Sequence, residues 1–295
     1  MTDSQALSAE IANIKQNDQA YKFIRRIFRS RNVVIGGFVL LIIVFMAVFA
    51  PQITRYDPAE QFRRNRLEPP SAEHIFGTDN LGRDIFSRVL YGGRISLQVG
   101  LFSVAIGLSI GTSLGLIAGY YGRWVDNGIM RLIDVMLAFP GILLALAIIA
   151  VLGRDLQNVM IAVGVSSIPV YTRIVRGNTL SIRETEYILA ARALGLPDRR
   201  VLFLHILPNV MAPIIVVATN GIAGAIIAGA ALSFLGLGAQ PPDPEWGLML
   251  AQGREYIRVA SWVTTYPGLA IMITVLSINL LGDGLRDILD PRLKI

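Results

Sequence analysis

The sequence YILAARALGLPDRRVLFLHILP, residues 187–208, lies between two long apolar runs. Its alanine-rich start predicts a helix over Tyr187–Leu194. Gly195, with a proline two residues later, predicts the end of that helix, because Gly accepts the conformation that stops a helix and Pro cannot continue one. A basic turn at Arg199 and Arg200 then leads into a second helix. A short helix held in water between two membrane segments suits docking of another protein, although the spacing fits an ordinary connecting loop equally well.

The composition predicts an integral membrane protein. The 295-residue chain is 53% hydrophobic and only 16% charged, whereas a soluble domain has about 25% charged residues. It has no cysteine, which excludes disulfides and thiolate metal sites. Its two histidines, His74 and His205, are far apart in the sequence and predict no metal site. The net charge of +6 is explained by basic segments beside membrane spans, so we expect no nucleic-acid partner.

The apolar runs predict an all-α protein with six transmembrane helices in a lipid bilayer. Residues 33–50 are uncharged and long enough to cross a membrane. No A-x-A cleavage pattern follows them, so we interpret this run as a retained span and not as a signal peptide. The other five spans are expected at about 96–120, 129–152, 159–175, 210–235 and 263–281.

These spans divide the chain into a short N-terminal segment, 1–32, and a transmembrane domain, 33–295. Within the first segment, 18–30 has the spacing of an interfacial amphipathic helix, and a disordered basic tail fits it nearly as well. A long polar loop, 176–208, connects the fourth and fifth spans. Six spans place both termini on one side of the membrane. Lys and Arg are more numerous on that side, which predicts cytoplasmic termini, although seven arginines in the first outer loop weaken the contrast.

Small residues recur every four positions in the second predicted span. They are Ser103, Gly107, Gly111, Gly115 and Gly119. Residues four apart share one face of a helix, and small side chains there let a neighbouring helix come close where lipid removes the hydrophobic drive. The spacing predicts a tight helix-packing seam, within the chain or with a partner. The fifth span repeats this spacing over 221–233.

Motifs for catalysis are absent from the sequence. It has no P-loop, no G-x-S-x-G and no H-E-x-x-H, so we expect neither ATP binding nor enzymatic activity from this chain. Asp134 is the main charged residue inside a span, and we interpret it as the partner of Arg131 in an i, i+3 ion pair near the membrane surface. No series of buried acids or histidines exists to relay protons, which argues against a proton-coupled carrier.

A few polar residues lie within the last three predicted spans. Those that are candidates for lining a solute path are Ser167, Tyr171, Asn220 and Asn279. The same residues are equally suited to interhelical hydrogen bonds. The sequence leaves both interpretations open.

The opening stretch resembles the cytoplasmic EAA loop of binding-protein-dependent ABC importer permeases. That pattern is E-A-A, three residues, Gly, nine residues and I-x-L-P. The positions that match at the required spacing are Ala190, Ala191, Gly195, Leu207 and Pro208. Two positions depart from the pattern, because Leu189 stands in the Glu position and His205 in the Ile position.

Three further blocks are similar to the second, C-type permease of dipeptide, oligopeptide and nickel importers. They are GTDNLGRDIFSRVLYGGRISL (77–97), SFLGLGAQPPDPEWGLML (233–250) and NLLGDGLRDILDPRLKI (279–295). AFPGILLALAIIAVLG and SIPVYTRIVRGNTL resemble the glutathione-importer branch in particular, with dipeptide importers close behind. The similarity extends from about residue 30 to the C-terminus.

The resemblance implies a type I ABC importer permease in a bacterial inner membrane. A paralogous permease would form the path with this chain, and an extracytoplasmic peptide-binding protein would deliver di- or oligopeptides or glutathione. Two ATP-binding cassette subunits would bind ATP and Mg²⁺, so this chain would need no cofactor and no metal. The outer segment 51–95 and the GAQPPDPEW loop would face the binding protein. The rival interpretations are a self-sufficient channel or secondary carrier, and a membrane enzyme.

The resemblance also assigns the helix at 186–195 as a coupling helix that sits in a groove of one ATPase. The residues implied in this contact are Glu186, Ala190, Ala191, Arg192, Gly195, Arg199, Arg200, Leu207 and Pro208. Glu186 lies about one helical turn before Leu189 and is the candidate substitute for the missing Glu. The C-terminal block implies an ion-paired cytoplasmic cluster near the ATPase, formed by Asp283, Arg286, Asp287, Asp290 and Arg292.

Overall fold

The computed structural model describes residues 25–289, and regular structure in this range is helical apart from an isolated bridge between Thr78 and Asp84. Residues 25–29 are helical. The helices that follow are α1 (Arg31–Val48), α2 (Ala50–Ile53), α3 (Ile85–Tyr121), α4 (Arg123–Leu137), α5 (Gly141–Leu152), α6 (Leu156–Arg183), α7 (Glu186–Ala193), α8 (Asp198–Arg200), a π-helical segment (Val201–Ile206), α9 (Leu207–Phe234), α10 (Trp246–Gly253), a 3₁₀ turn (Arg254–Tyr256) and α11 (Trp262–Leu289). The all-α prediction is confirmed for these residues. Most of the predicted amphipathic helix at 18–30 lies outside the described residues, as do Asp290 and Arg292.

Five helical stretches in the described range are long and apolar enough to cross a membrane. They are α1, α3, α6, α11 and the continuous run Asp198–Phe234, which joins α8, the π-helical segment and α9. The third predicted span is the exception. Helices α4 and α5 meet at an angle of 91°, so the third predicted span, 129–152, is bent in its middle. Pro140 explains the break, since it has no backbone N–H and disfavours helical conformation in the residue before it. The total is six only when this bent pair is counted as one span.

Several spans extend beyond their predicted limits. Helix α3 begins at Ile85, eleven residues before the predicted start at 96, and α6 covers 156–183 where 159–175 was predicted. Helix α3 packs most extensively on α6, and α9 packs on both. Helix α11 contacts α9 and α1, so the predicted first span lies at the edge of the bundle.

The small residues of α3 form its contact with α6. The Oγ of Ser103 donates a hydrogen bond to the Met160 carbonyl at 3.0 Å. A Cβ added to Gly111 would lie 2.6 Å from the Cβ of Tyr171, and one added to Gly115 would lie 2.7 Å from the Thr172 carbonyl oxygen. Gly107 and Gly119 approach α6 in the same way. The close helix contact therefore lies within this chain.

Helix α9 places its own small residues against α3 and α6. A Cβ added to Gly229 would lie 2.5 Å from the Cγ1 of Val99 on α3. Gly221 approaches the hydroxyl of Tyr171 on α6 closely enough to leave no room for a side chain. Helices α3, α6 and α9 thus form the tightly packed centre of the molecule.

Candidate coupling surface and translocation groove

Helix α7 and the break after it have the geometry that the sequence predicts. The helix spans Glu186–Ala193, and Gly195 follows with a φ of +79°. The N–H of Leu196 donates to the Ala191 carbonyl at 3.2 Å, which satisfies one of the last carbonyls of the helix. A Cβ added to Gly195 would meet no atom within 4 Å. Glycine is therefore favoured here by the left-handed backbone and not by lack of space.

One side of α7 is fixed to the bundle. Ile188 is fully buried in an apolar cluster with residues of α3, α6 and the start of the 198–234 helix. Beside it, the hydroxyl of Tyr120 donates to Asp198 Oδ1 at 2.6 Å, and Arg183 donates to the Gly119 carbonyl at 2.9 Å. These hydrogen bonds and the apolar cluster connect α7 and the residues that flank it to the C-terminal end of α3. Ile188 is not part of the EAA pattern, so the resemblance did not identify it. It lies two residues before Ala190 and is the buried apolar residue of this helix.

The other side of α7 is uncovered. Tyr187 and Leu189 are each 47% exposed, and Leu194 is 81% exposed. The residues implied in coupling are mostly exposed here as well: Glu186, Ala190, Arg192, Gly195, Arg199, Arg200 and Pro208 are exposed, and Ala191 and Leu207 are half-buried. Glu186 and Leu189 are three residues apart and lie on the same face of the helix. This end of the molecule therefore presents apolar and basic side chains together.

The opposite end of α3 carries a folded layer that we call the cap, formed by residues 54–84 and 236–261. Asp84 begins α3, since its carboxylate accepts from the N–H of Ser87 at 2.7 Å and lies 2.9 Å from the Nδ1 of buried His74. Arg83 pairs with Asp79 at 2.6 Å and donates to Gln252 of α10 at 2.9 Å. These contacts tie the two parts of the cap together.

Arg88 is the central residue of the cap, although it belongs to α3. Its side chain is 1% exposed and donates to the carbonyls of Pro58, Pro242 and Asp243 at 2.8, 3.3 and 3.3 Å. Nearby, the indole N–H of Trp246 donates to the Val89 carbonyl at 2.9 Å. The two segments that resemblance assigned to the binding protein thus pack against each other through their charged residues.

Glu245 begins α10 within this layer. Its carboxylate accepts from the N–H groups of Gly247 and Leu248 at 2.9 and 2.8 Å. Burial raises the pKa of Glu245, and these two hydrogen bonds act in the opposite direction.

The predicted partner of Asp134 is wrong. Asp134 Oδ1 lies 2.7 Å from the guanidinium of Arg173 on α6, where the sequence analysis had paired it with Arg131. A second ion pair between the same two helices joins Asp126 and Arg176. Such pairs depend on how two helices pack, and spacing within one helix does not reveal them.

Three of the four candidate path residues lie together. Ser167, Tyr171 and Asn220 line an open groove of about 410 Å³ between the start of α5, α6 and α9. The α9 wall is made of small residues, among them Gly224 and Ala228. Asn279 of α11 does not line this groove.

Among residues 25–289, no group of three or more histidines or acids is placed to hold a metal ion.

Membrane-crossing helices with a protruding loop helix at one end and a polar cap at the other define a multi-pass membrane subunit of a transport system. Residues 111–295 match the family described as the binding-protein-dependent transport system inner membrane component, and residues 19–70 match the N-terminal TM domain of oligopeptide transport permease C. The chain belongs to this family. It is a C-type permease of a peptide-type ABC importer and a multi-pass inner-membrane protein, as its resemblance implied.

Similar proteins cover nearly the whole chain. The dipeptide transport system permease protein DppC of Alkalihalophilus pseudofirmus is 52% identical over 92% of this chain and 89% of its own length. The glutathione transport system permease protein GsiD of Pectobacterium atrosepticum is 51% identical over 92% and 91%. The di/tripeptide transport system permease protein DppC of Pseudomonas aeruginosa is 51% identical over 88% of each chain.

A solved structure shares the fold. It is a chain of the MetNI methionine ABC transporter in an inward-facing conformation, with a TM-score of 0.56 and 21% identity. The match covers 69% of this chain and 97% of the other. The likeness extends to the fold alone.

Proposed function

We propose that this chain moves di- or oligopeptides, glutathione included, into the cytoplasm as one half of a permease pair. A paralogous permease forms the other half, and an extracytoplasmic binding protein delivers the peptide. Two ATP-binding cassette subunits bind ATP and Mg²⁺ and carry out hydrolysis, so this chain is non-catalytic and holds no cofactor. One observation carries the proposal: Ile188 fixes one face of α7 to the bundle, and the opposite face of α7 is uncovered. The names of the similar permeases support the peptide class.

In this proposal, the α7 end of the molecule and both termini are cytoplasmic, and the cap lies outside. The exposed side chains of Tyr187, Leu189 and Leu194 provide apolar contact area for an ATPase groove, and Arg199 and Arg200 add positive charge. Closure of the ATPase pair on ATP moves α7. The contacts of Tyr120 and Arg183 pass that movement to α3, and the tightly packed helices follow as rigid bodies.

Reconstitution tests this proposal against the rival of a self-sufficient channel or carrier. The chain is placed in proteoliposomes alone and together with its paralogous permease and ATPase subunits, and uptake of alanyl-alanine and glutathione is measured with the binding protein present. We expect uptake only in the complete complex and only with ATP. Uptake by this chain alone would contradict the proposal and favour the rival.

A further inference from the structure

The bend between α4 and α5 places the first turn of α5 at the edge of the groove. Helix α5 begins at Gly141, and no side chain caps it: the preceding residue is Pro140, with a ψ of 133°. The N–H groups in the first turn of a helix have no partner within that helix. Gly141 and Ile142 both line the groove that contains Tyr171 and Asn220. Irregular backbone inside a membrane is tolerated where it lines a water-filled cavity.

Tyr171 provides a second donor in the same groove. Its side chain is only 4% exposed, yet its hydroxyl has no hydrogen-bond partner among the described residues. The neighbouring hydroxyls are already used, because Ser166 donates to the Val163 carbonyl at 2.9 Å and Ser167 to the Gly164 carbonyl at 2.7 Å. The Tyr171 hydroxyl is therefore free to donate to a ligand or to water in the groove.

The donors in this groove favour an anion. Peptide N–H groups at a helix start carry partial positive charge and bind carboxylates and phosphates. Asn220 also lines the groove, and the oxygen of its side-chain amide packs against Gly282 of α11. None of the lining residues is charged, so an anion there would be held by dipoles alone. Weak binding of this kind suits a path, because a solute that passes must also leave.

We propose that the start of α5 and the Tyr171 hydroxyl form a transient site for the C-terminal carboxylate of a peptide in transit. This inference rests on the proposed function. The carboxylate is the part of a peptide that is hardest to move through an apolar groove, because it loses hydration and needs replacement donors. The close approach of Gly111 and Gly221 fixes the position of Tyr171. A shift of α3 or α9 against α6 would therefore change the site and release the carboxylate.

Three variants of the complete complex test the site. Tyr171→Phe removes the hydroxyl and keeps the ring. Gly141→Pro removes one N–H, because proline is well tolerated at the first helical position and the extended Pro140 already has the conformation that a residue before proline requires. Gly141→Ala is its matched control, since it keeps the N–H and its Cβ meets no atom within 4 Å.

The measurement is ATP-dependent uptake of alanyl-alanine and glutathione, each compared with uptake of alanyl-alanine amide at high concentration. We expect Tyr171→Phe and Gly141→Pro each to lower uptake of the free acids roughly tenfold to 150-fold, the effect of one lost hydrogen bond to a charged group. Uptake of the amide should fall less than uptake of the free acids, and Gly141→Ala should lose less uptake of the free acids than Gly141→Pro.

Two kinds of failure are distinguishable. An equal loss for acid and amide, a Gly141→Ala as slow as Gly141→Pro, or normal uptake of the acids by Tyr171→Phe would overturn the carboxylate site and leave the proposed function standing. No uptake of either peptide by the wild-type complex would overturn the proposed substrate class and this site with it.

Discussion

The two ends of α3 are held by different kinds of interaction. At the cap, buried charged groups such as Arg83 and Arg88 donate hydrogen bonds across segments that are distant in sequence. At the α7 end, the contact is an apolar cluster around Ile188, and most of the charged side chains point outward. Hydrogen bonds require fixed geometry, whereas apolar contacts are non-directional. The cap is thus held mainly by directional hydrogen bonds, whereas the α7 end is held mainly by apolar packing, with the hydrogen bonds of Tyr120 and Arg183 beside it.

The largest expected effect comes from separating α3, the helix that carries both ends, from α6. Gly111→Leu places a side chain where α6 leaves no space, since even a Cβ would lie 2.6 Å from that of Tyr171. Overpacking at this contact should separate α3 from α6 and sharply reduce the yield of the assembled complex. Gly177→Leu is the control, because a Cβ there meets nothing within 4 Å on the same helix pair. Assembly of both variants at wild-type yield would show that the small residues of α3 do not form a packing seam.

The cap end is next in expected effect. Arg88→Met keeps much of the side-chain volume but removes the hydrogen bonds to the carbonyls of Pro58, Pro242 and Asp243. We expect a loss of about 3–5 kcal/mol, as found when one partner of a buried charged network is removed. Thermal unfolding of the purified protein measures it, and limited proteolysis should show new cleavage within 54–84. A variant as stable as the wild type would mean that the cap does not depend on this network.

The α7 end should separate stability from docking. Ile188→Ala removes a fully buried side chain and should cost about 2–4 kcal/mol. Leu189→Ala, one residue later, changes an exposed side chain and should alter stability by less than about 0.5 kcal/mol. We expect Leu189→Ala to weaken co-purification with the ATPase subunits all the same. Equal behaviour of the two variants in both assays would remove the distinction between the two faces of α7.

At the break after α7, we expect a smaller effect on stability than that of Ile188→Ala. Gly195→Asp forces a side chain into a left-handed backbone, at a cost of about 1–2 kcal/mol. It also adds a negative charge beside Arg192 and the basic turn. Membrane insertion should be normal while ATPase binding is weakened. Gly195→Asn, which tolerates this backbone better and carries no charge, separates the two causes; normal transport by Gly195→Asp would argue against a coupling role for this turn.

The sequence predicted features that depend on local chemistry. Glycine and proline after Leu194 predicted the end of α7, and the four-residue spacing from Ser103 to Gly119 predicted a shared helix face. Pro140 lies within the apolar run 129–152, and a proline predicts a bend in a membrane helix. The size of the bend, 91°, does not follow from the sequence, because neighbouring helices decide how the freed backbone groups are satisfied.

Features that depend on tertiary contacts were not predicted. The start of α3 was placed too late because arginines at 88 and 94 indicated a polar loop, whereas Arg88 and Arg94 donate to carbonyls inside the protein. The pairing of Asp134 with Arg173 likewise depends on the position of a second helix. Asn279 was grouped with the path residues by its polarity; it lies on α11, which does not line the groove, and its role in a path stays a prediction.

Helix α3 runs unbroken from the cap to the α7 end. Arg88 lies near its start and Tyr120 near its end, a separation of about 48 Å at 1.5 Å per residue, which exceeds the roughly 30 Å thickness of the hydrocarbon layer. In the proposed complex, one helix therefore contacts the surface that meets the binding protein and the helix that meets the ATPase. Thermodynamic linkage makes such a connection reciprocal. The factor by which ATP changes the affinity for the loaded binding protein must equal the factor by which that protein changes the affinity for ATP.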